Sequence, residues 1–247
     1  MSESVRPTVD EIYHLLKRTS IPTVLVEGKC DVILYRRIEE DLKQYGVDIL
    51  PAGNKGAVLA LRERILNDPV SCQVLFIVDK DLWVHCSPGH GHDELITTEG
   101  YSIENDLFRD GELENLLSAD EGKVFRAELA VFVEWYALSV NRSLAGIEDG
   151  FRTHPNKILD NRDETVMNMQ LHVGEHYPHK LKDEIIADYR RVLRGKSLFA
   201  LLVRRLSGRK RNTKFGVNQL MEIGASRRGE NYHRICSAVR ARLEGGG

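Results

Sequence analysis

The amino-acid sequence predicts an α/β fold, a parallel β-sheet flanked by helices, followed by a mainly helical, basic C-terminal region. Three observations carry this expectation. Short apolar runs at 22–27, 47–51 and 72–79 alternate with segments of helical periodicity. The runs are unbroken by polar residues for most of their length, as expected of strands buried on both faces. Charge divides along the chain: residues 1–150 hold 15 Lys and Arg against 27 Asp and Glu, a balance of −12, whereas residues 151–247 hold 20 against 10, a balance of +10.

The elements follow in order. Residues 8–18 are expected to form a helix, with Thr8 as N-cap and Ile12, Leu15 and Leu16 on one face. Residues 22–27, bounded by Pro22 and Gly28, form the first strand. Asp31 to Tyr45 reads as a helix with Ile33, Leu34, Ile38 and Leu42 as its apolar stripe. Val47 to Pro51 is the second strand, 52–56 a glycine-rich turn, and Ala57 to Leu66 the next helix. Cys72 to Asp79 is the third and strongest strand. Strand and helix alternating at this spacing imply right-handed βαβ units.

Composition bounds the rest. A chain of 247 residues, 42% hydrophobic, buries a sizeable core as one large domain or two small ones. No apolar run reaches the length of a membrane span, and the first residues carry no signal-peptide pattern. Four cysteines without a CxxC pair read as reduced thiols, so the expected location is cytoplasmic. The acidic half suits cations and the basic half a polyanion. The plainer alternative is that the halves pair with each other or with another subunit.

Ligands of open parallel sheets sit outside the carboxyl ends of the strands. Asp79 and Asp81 leave the third strand there, and Glu27 leaves the first. Residues two apart in an extended segment share a side, so both aspartates are expected to face one site. A lone DxD is more often a solvated turn, here helped by Lys80; Glu27 at the matching strand end weakens that reading. Oxygen-only ligands suit Mg²⁺, or Mn²⁺, better than Zn²⁺.

Other patterns compete. Gly53-Asn54-Lys55-Gly56 precedes a helix, so Lys55 and the backbone amides can meet a phosphate, although a simple connecting turn reads almost as well. The Walker A pattern is absent throughout. Residues 85–92 hold three histidines and Cys86, but Pro88, Gly89 and Gly91 favour a loop near the site over a zinc clip. In the second half, Glu121 to Leu144 carries an amphipathic stripe for core or dimer packing, and residues 181–206 continue with two amphipathic stretches, the second opened by Gly195-Lys196. Arg209, Lys210, Arg211 and Lys214 then cluster beside Phe215. Such a cluster can track phosphates while the aromatic ring stacks a base; the alternative is a solvated loop, or a surface for an acidic partner.

ValGluGlyLysCysAsp at 26–31, GlyAsnLysGly at 53–56, ValAspLysAspLeu at 78–82 and TyrSerIleGluAsnAspLeu at 101–107 occur in that order. This set resembles the Toprim domain, a Rossmann-like fold, in the branch known as DUF4435. That branch is similar to AriB, the Toprim nuclease subunit of the PARIS anti-phage system. The resemblance implies a catalytic domain over 1–115 with an N-terminal helix, and a helical basic region over 116–247 for nucleic-acid contact or dimerisation. It implies Glu27, Asp79 and Asp81 as catalytic residues, and Glu27, Asp31, Asp79, Asp81 and Glu104 as metal ligands. Asp31 reads equally well as a first-turn helix residue favoured by the macrodipole. Candidate nucleic-acid contacts are Lys55, Lys80, Lys196, Arg209, Lys210, Arg211, Lys214 and Phe215.

The implied activity is a Mg²⁺-dependent endonuclease, a toxic effector that cleaves RNA, specifically tRNA, to arrest translation. Implied partners are an ABC-type, AriA-like ATPase that holds the nuclease inactive until triggered, and a second copy of the chain in a homodimer. The alternative is a Toprim module that binds nucleic acid or regulates without cutting.

Overall fold

The computed structural model describes residues 7–28, 32–87, 89, 91–92, 94–161, 163, 165, 167, 169–209 and 211–245. The first half builds a four-stranded sheet in the order β2-β1-β3-β4, every pair parallel. Strand β1 (Thr23–Val26) is buried at all four positions, as a central parallel strand requires. It is flanked by β2 (Asp48–Pro51) and β3 (Val74–Val78), with β4 (Ile96–Thr97) at the far edge. Helix α1 (Val9–Leu16) precedes the sheet and starts at a capping box between Thr8 and Glu11. The crossovers are α2 (Val32–Asp41) and α3 (Lys55–Asn67).

Local chemistry moves several boundaries. The helix expected to reach Tyr45 ends at Asp41, and a 3₁₀ turn over Lys43–Tyr45 leads to Gly46 at φ 61°. Glycine takes that left-handed turn without a Cβ clash. The expected glycine-rich turn is half helix: the Asn54 side chain accepts from the Ala57 amide, so α3 begins at Lys55. Strand β4, only two residues long, is too short to stand out as an apolar run.

Beyond the sheet come α4 (Ile103–Asp110), α5 (Ala119–Leu144), α6 (Pro155–Asp160), α7 (His179–Ala187), α8 (Tyr189–Val192), α9 (Gly195–Leu206), α10 (Val217–Ser226) and α11 (Glu230–Gly245). The expected stripe of α5 is core: Phe125, Leu129, Phe132, Val133, Tyr136 and Val140 are all buried. Strand alternation splits the sheet's two faces. Leu25 and Phe76 join Ile12, Leu16, Val58 and Leu61 beneath α1 and α3. Val24, Val26, Leu75 and Ile77 join a larger core that includes Ile38, Leu107, Phe132, Leu202 and Ile235, and so draws on both sides of position 115.

Much of the charge asymmetry is spent on pairing between the halves. Arg204 and Arg205 share Glu128, Arg211 meets Glu121, and Arg228 meets Asp41. The thiols of Cys72, Cys86 and Cys236 are unbonded. Among the described residues, no helix is long and apolar enough to cross a membrane.

Helix α4 packs against α8, α9, α10 and α11. Its crossing with α10 runs through Gly224, where a Cβ would lie 2.6 Å from the Leu107 carbonyl oxygen and 2.8 Å from Leu107 Cβ. Overpacking of this kind costs about 1–3 kcal/mol. Gly224→Ala is therefore expected to lower the thermal midpoint by roughly 2–12 °C, at about 2–4 °C per kcal/mol for a chain of this size. Circular dichroism melts check this, and an unchanged midpoint would mean that α10 shifts at no cost.

Candidate functional site

Parallel pairing of β1 with β3 sets the residues that follow them side by side. Glu27 leaves β1 and Asp79 leaves β3, and the Asp79 amide donates to Glu27 Oε1 at 2.8 Å. Asp79 Oδ1 in turn accepts from the Ile103 amide at 3.0 Å, at the start of α4. A carboxylate there meets the positive end of the helix. Asp81 reaches the same side by a route other than strand alternation. Lys80 is in the helical region (φ −64°, ψ −35°) and Asp81 in the left-handed region (φ 50°), so the segment is a turn. The Asp81 amide donates to the Tyr101 carbonyl at 2.7 Å, which fixes that turn.

These residues line one cavity of about 500 Å³, together with Glu104. Glu104 sits in the first turn of α4, and its Oε2 accepts from Ser102 Oγ at 2.5 Å. Lys55, the first residue of α3, reaches into the acidic cluster. Its Nζ donates to the carbonyl oxygens of Asp79 (2.6 Å) and Lys80 (3.2 Å) and to Asp81 Oδ2 (3.3 Å). The same ammonium lies 3.5 Å from the centre of the Trp83 ring. The remaining cations on the cavity are Arg152, Arg194 and Lys196, all from the C-terminal region.

Burial pushes the Glu27 carboxyl up to about 7, and the nearby Asp81 charge adds to the rise; the Asp79 amide and Lys55 oppose it. Burial also raises the Tyr101 phenol, another cavity residue, well above its ordinary value. Among the described residues, no three His, Cys, Asp or Glu groups stand close enough to form a preassembled metal cluster. An oxygen-only cavity with dispersed carboxylates fits Mg²⁺, which keeps several waters and uses one or two carboxylates plus substrate phosphates. Of the histidine segment, Pro88 and His90 lie outside the described residues. Burial lowers His85 to about 4, and His92 lies against Trp83 with ring centres 4.8 Å apart.

The structure brings together Glu27, Asp79, Asp81, Glu104, Lys55 and Lys196 from the expected set. Asp31 and Lys210 lie outside the described residues. Lys80 points off the cavity, its Nζ donating to the Glu99 carbonyl at 3.2 Å and pairing with the Glu99 carboxylate at 3.4 Å. Arg209 and Lys214 are exposed away from it. Arg211 pairs with Glu121 at 2.7 Å, and Phe215 packs partly buried against the core.

Sequence reasoning missed Arg152, Arg194 and Asn105. Asn105 is fully buried, and its Nδ2 donates to the carbonyls of Arg190 (3.0 Å) and Leu193 (2.8 Å). It bolts the segment before α9 to the start of α4. The only signal was its place beside Glu104 in the TyrSerIleGluAsn stretch; nothing local marked the arginines.

A scan against models of known protein families and a search of curated proteins each return no match.

The raised Glu27 carboxyl has a stability consequence. Its ordinary value is 4.5 and its folded value about 7, so the folded chain binds the proton more tightly. The resulting contribution is fully present below about pH 4.5 and is lost as pH rises through about 7. Glu27→Gln, which keeps the shape without the charge, is expected to melt above the wild type at pH 8 in EDTA and level with it at pH 4. Equal midpoints at pH 8 would show that the carboxylate is well solvated.

Proposed function

We propose that this chain is a divalent-cation-dependent phosphodiesterase with a Toprim-type site, an endonuclease acting on a nucleic-acid backbone. One observation carries the reading: Glu27, Asp79, Asp81 and Glu104 converge on a single cavity that Lys55, Arg152, Arg194 and Lys196 also line. Cleaving a phosphodiester requires an activated oxygen nucleophile, stabilised charge on phosphorus and a protonated leaving oxygen. Bound Mg²⁺ supplies Lewis-acid stabilisation and lowers the pKa of attacking water. Asp79 and Asp81 are the ligands that would hold it, with Glu27 and Glu104 within the same cavity.

The remaining steps belong to the chain's own residues. Glu27, with its carboxyl near 7, is poised to take a proton from the nucleophile or return one to the leaving oxygen at neutral pH. Lys55, held between the aspartate turn and Trp83, places a fixed positive charge where a non-bridging phosphate oxygen enters. Tyr101, kept protonated by its burial, offers a hydroxyl donor at the same wall.

The family resemblance extends the proposal to an RNA substrate, tRNA, and to a toxic effector of anti-phage defence. In that setting an ABC-type ATPase holds the chain inactive, and the active form is a homodimer.

The test is cleavage of tRNA and of plasmid DNA by the purified chain with Mg²⁺, Mn²⁺ or EDTA, beside Glu27→Gln and Asp79→Asn. Metal-dependent cutting is expected, falling in Glu27→Gln by roughly 10²–10⁴-fold, the usual contribution of a general acid or base. Cutting that survives EDTA, or Glu27→Gln at the wild-type rate, would remove the assignment. Silence both alone and with the ATPase and its trigger would leave a module that binds without cutting.

A further inference from the structure

We propose that Arg152, Arg194 and Lys196 form a phosphate-binding wall of the carboxylate-lined cavity, which grips a second phosphate on a single nucleic-acid strand. The three residues come from two places. Arg152 lies in the loop between α5 and α6, and Arg194 and Lys196 stand on either side of Gly195 at the start of α9; all three line the cavity of about 500 Å³.

Their lack of ion pairs separates them from their neighbours. Arg190, Arg191, Arg204, Arg205 and Arg211 are each paired with a carboxylate. Among the described residues, none of Arg152, Arg194 and Lys196 has such a pair. The guanidinium of Arg194 makes only long contacts from Nη1, to the Arg152 carbonyl at 3.5 Å and Ser197 Oγ at 3.4 Å. The three cations share the cavity with carboxylates but form no direct ion pair with them among the described residues. An anion entering beside them takes up N–H donors suited to phosphate oxygens.

The wall is also preorganised. The Arg194 amide donates to the buried Tyr136 hydroxyl at 3.2 Å, and the Leu193 carbonyl is held by Asn105 at 2.8 Å. Gly195 is pressed onto the start of α4: a Cβ there would sit 2.7 Å from Asn105 Oδ1 and 2.8 Å from Glu104 Cβ. Arg194 and Lys196 are therefore anchored to the helix that carries Glu104. The backbone that carries Arg194 and Lys196 is thus held in place before a phosphate binds, which lowers the cost of ordering it.

The size of the cavity selects the form of the ligand. About 500 Å³ falls in the range of small-ligand pockets, so the cavity has room for a nucleotide unit of one strand. With one phosphate at the carboxylates, the adjacent phosphate of the same strand falls to the cationic wall. This assignment deepens the phosphodiesterase reading and takes its ligand class from it, but binding is measured without cleavage.

The experiment uses the full chain in EDTA and a fluorescein-labelled six-nucleotide oligoadenylate RNA, followed by anisotropy at 50 and 200 mM salt. Arg152 and Lys196 are exposed, so the Arg152→Ala/Lys196→Ala double variant is expected to keep the wild-type melting midpoint. It should bind at least tenfold more weakly at 50 mM salt, with the salt slope reduced by about 0.7 for each phosphate that is no longer neutralised. Arg194→Gln should lose affinity similarly, and Glu27→Gln should bind as tightly as the wild type or tighter.

Cavity variants within twofold of the wild type, or no wild-type binding at 50 mM salt, would overturn the wall. So would a loss confined to Arg209→Ala/Lys214→Ala, which would place the grip on the outer loop. Loss of binding in the cavity variants, together with no metal-dependent cutting by the wild type either alone or with the ATPase and its trigger, would keep the wall and remove the nuclease.

Discussion

Carboxylates gathered at one edge of a sheet repel one another, and much of the chain around that edge serves to offset the repulsion. Each acid is met by a different device. The Asp79 amide donates to Glu27, and the start of α4 donates to Asp79 through the Ile103 amide. The Lys55 ammonium meets Asp81, and the Ser102 hydroxyl donates to Glu104. Two of these devices are backbone amides fixed by the elements themselves, so they hold without ordering a mobile side chain. Compensation is incomplete at Glu27, where burial and the Asp81 charge outweigh the donors and leave the carboxyl near 7. A parallel sheet makes that imbalance cheap to build, because every strand ends on the same side.

The same residue type serves structure one turn further along. Asp106 is almost fully buried on α4, and its two oxygens accept from the amides of Glu99 at 2.9 Å and Gly100 at 2.7 Å. Burial lifts its carboxyl to about 6 against the pull of those bonds. Asp110 accepts from the amides of Asn231 (3.1 Å) and Tyr232 (2.9 Å) at the start of α11. Glu104, Asp106 and Asp110 share one helix, yet only Glu104 faces the cavity. A raised carboxyl is thus no mark of a site by itself; the partners decide. Glu27 shares its cavity with further acids and cations, whereas Asp106 closes a loop.

Legibility in the sequence followed the range of the interactions. The three long strands were legible because burial on both faces writes itself as an apolar run, and Glu27 and Asp79 were legible because they end those runs. Asp81 reaches the expected cavity for a reason other than strand alternation, since its turn depends on a bond to the Tyr101 carbonyl twenty residues away. Residues 181–206 read as two amphipathic stretches, the second opening at Gly195-Lys196, where α9 begins. The break at Leu193 and Arg194 has a tertiary cause: the carbonyls of Arg190, Arg191 and Leu193 are claimed by Asn105 and Tyr101 instead of by the next helical turn. The basic cluster at 209–215 shows the same limit. Counting charges does not reveal that Arg211 is answered by Glu121, ninety positions earlier.

The division of charge along the chain therefore has two outcomes that composition cannot separate. Where basic residues of the second half meet acidic residues of the first at close range, as Arg204 and Arg205 do at Glu128, the asymmetry is absorbed into packing. Where they are not paired, it survives in a cavity lined by both signs. Gly195 and Asn105 fix the backbone that carries Arg194 and Lys196 beside α4. Lys55 meets Asp81 inside the cavity, and there an aromatic ring and two carbonyl oxygens hold the ammonium at its post. Opposite charges left unneutralised across a partly desolvated gap favour a ligand that carries both signs. A phosphate accompanied by its cation meets that requirement, where either ion alone would satisfy only one wall.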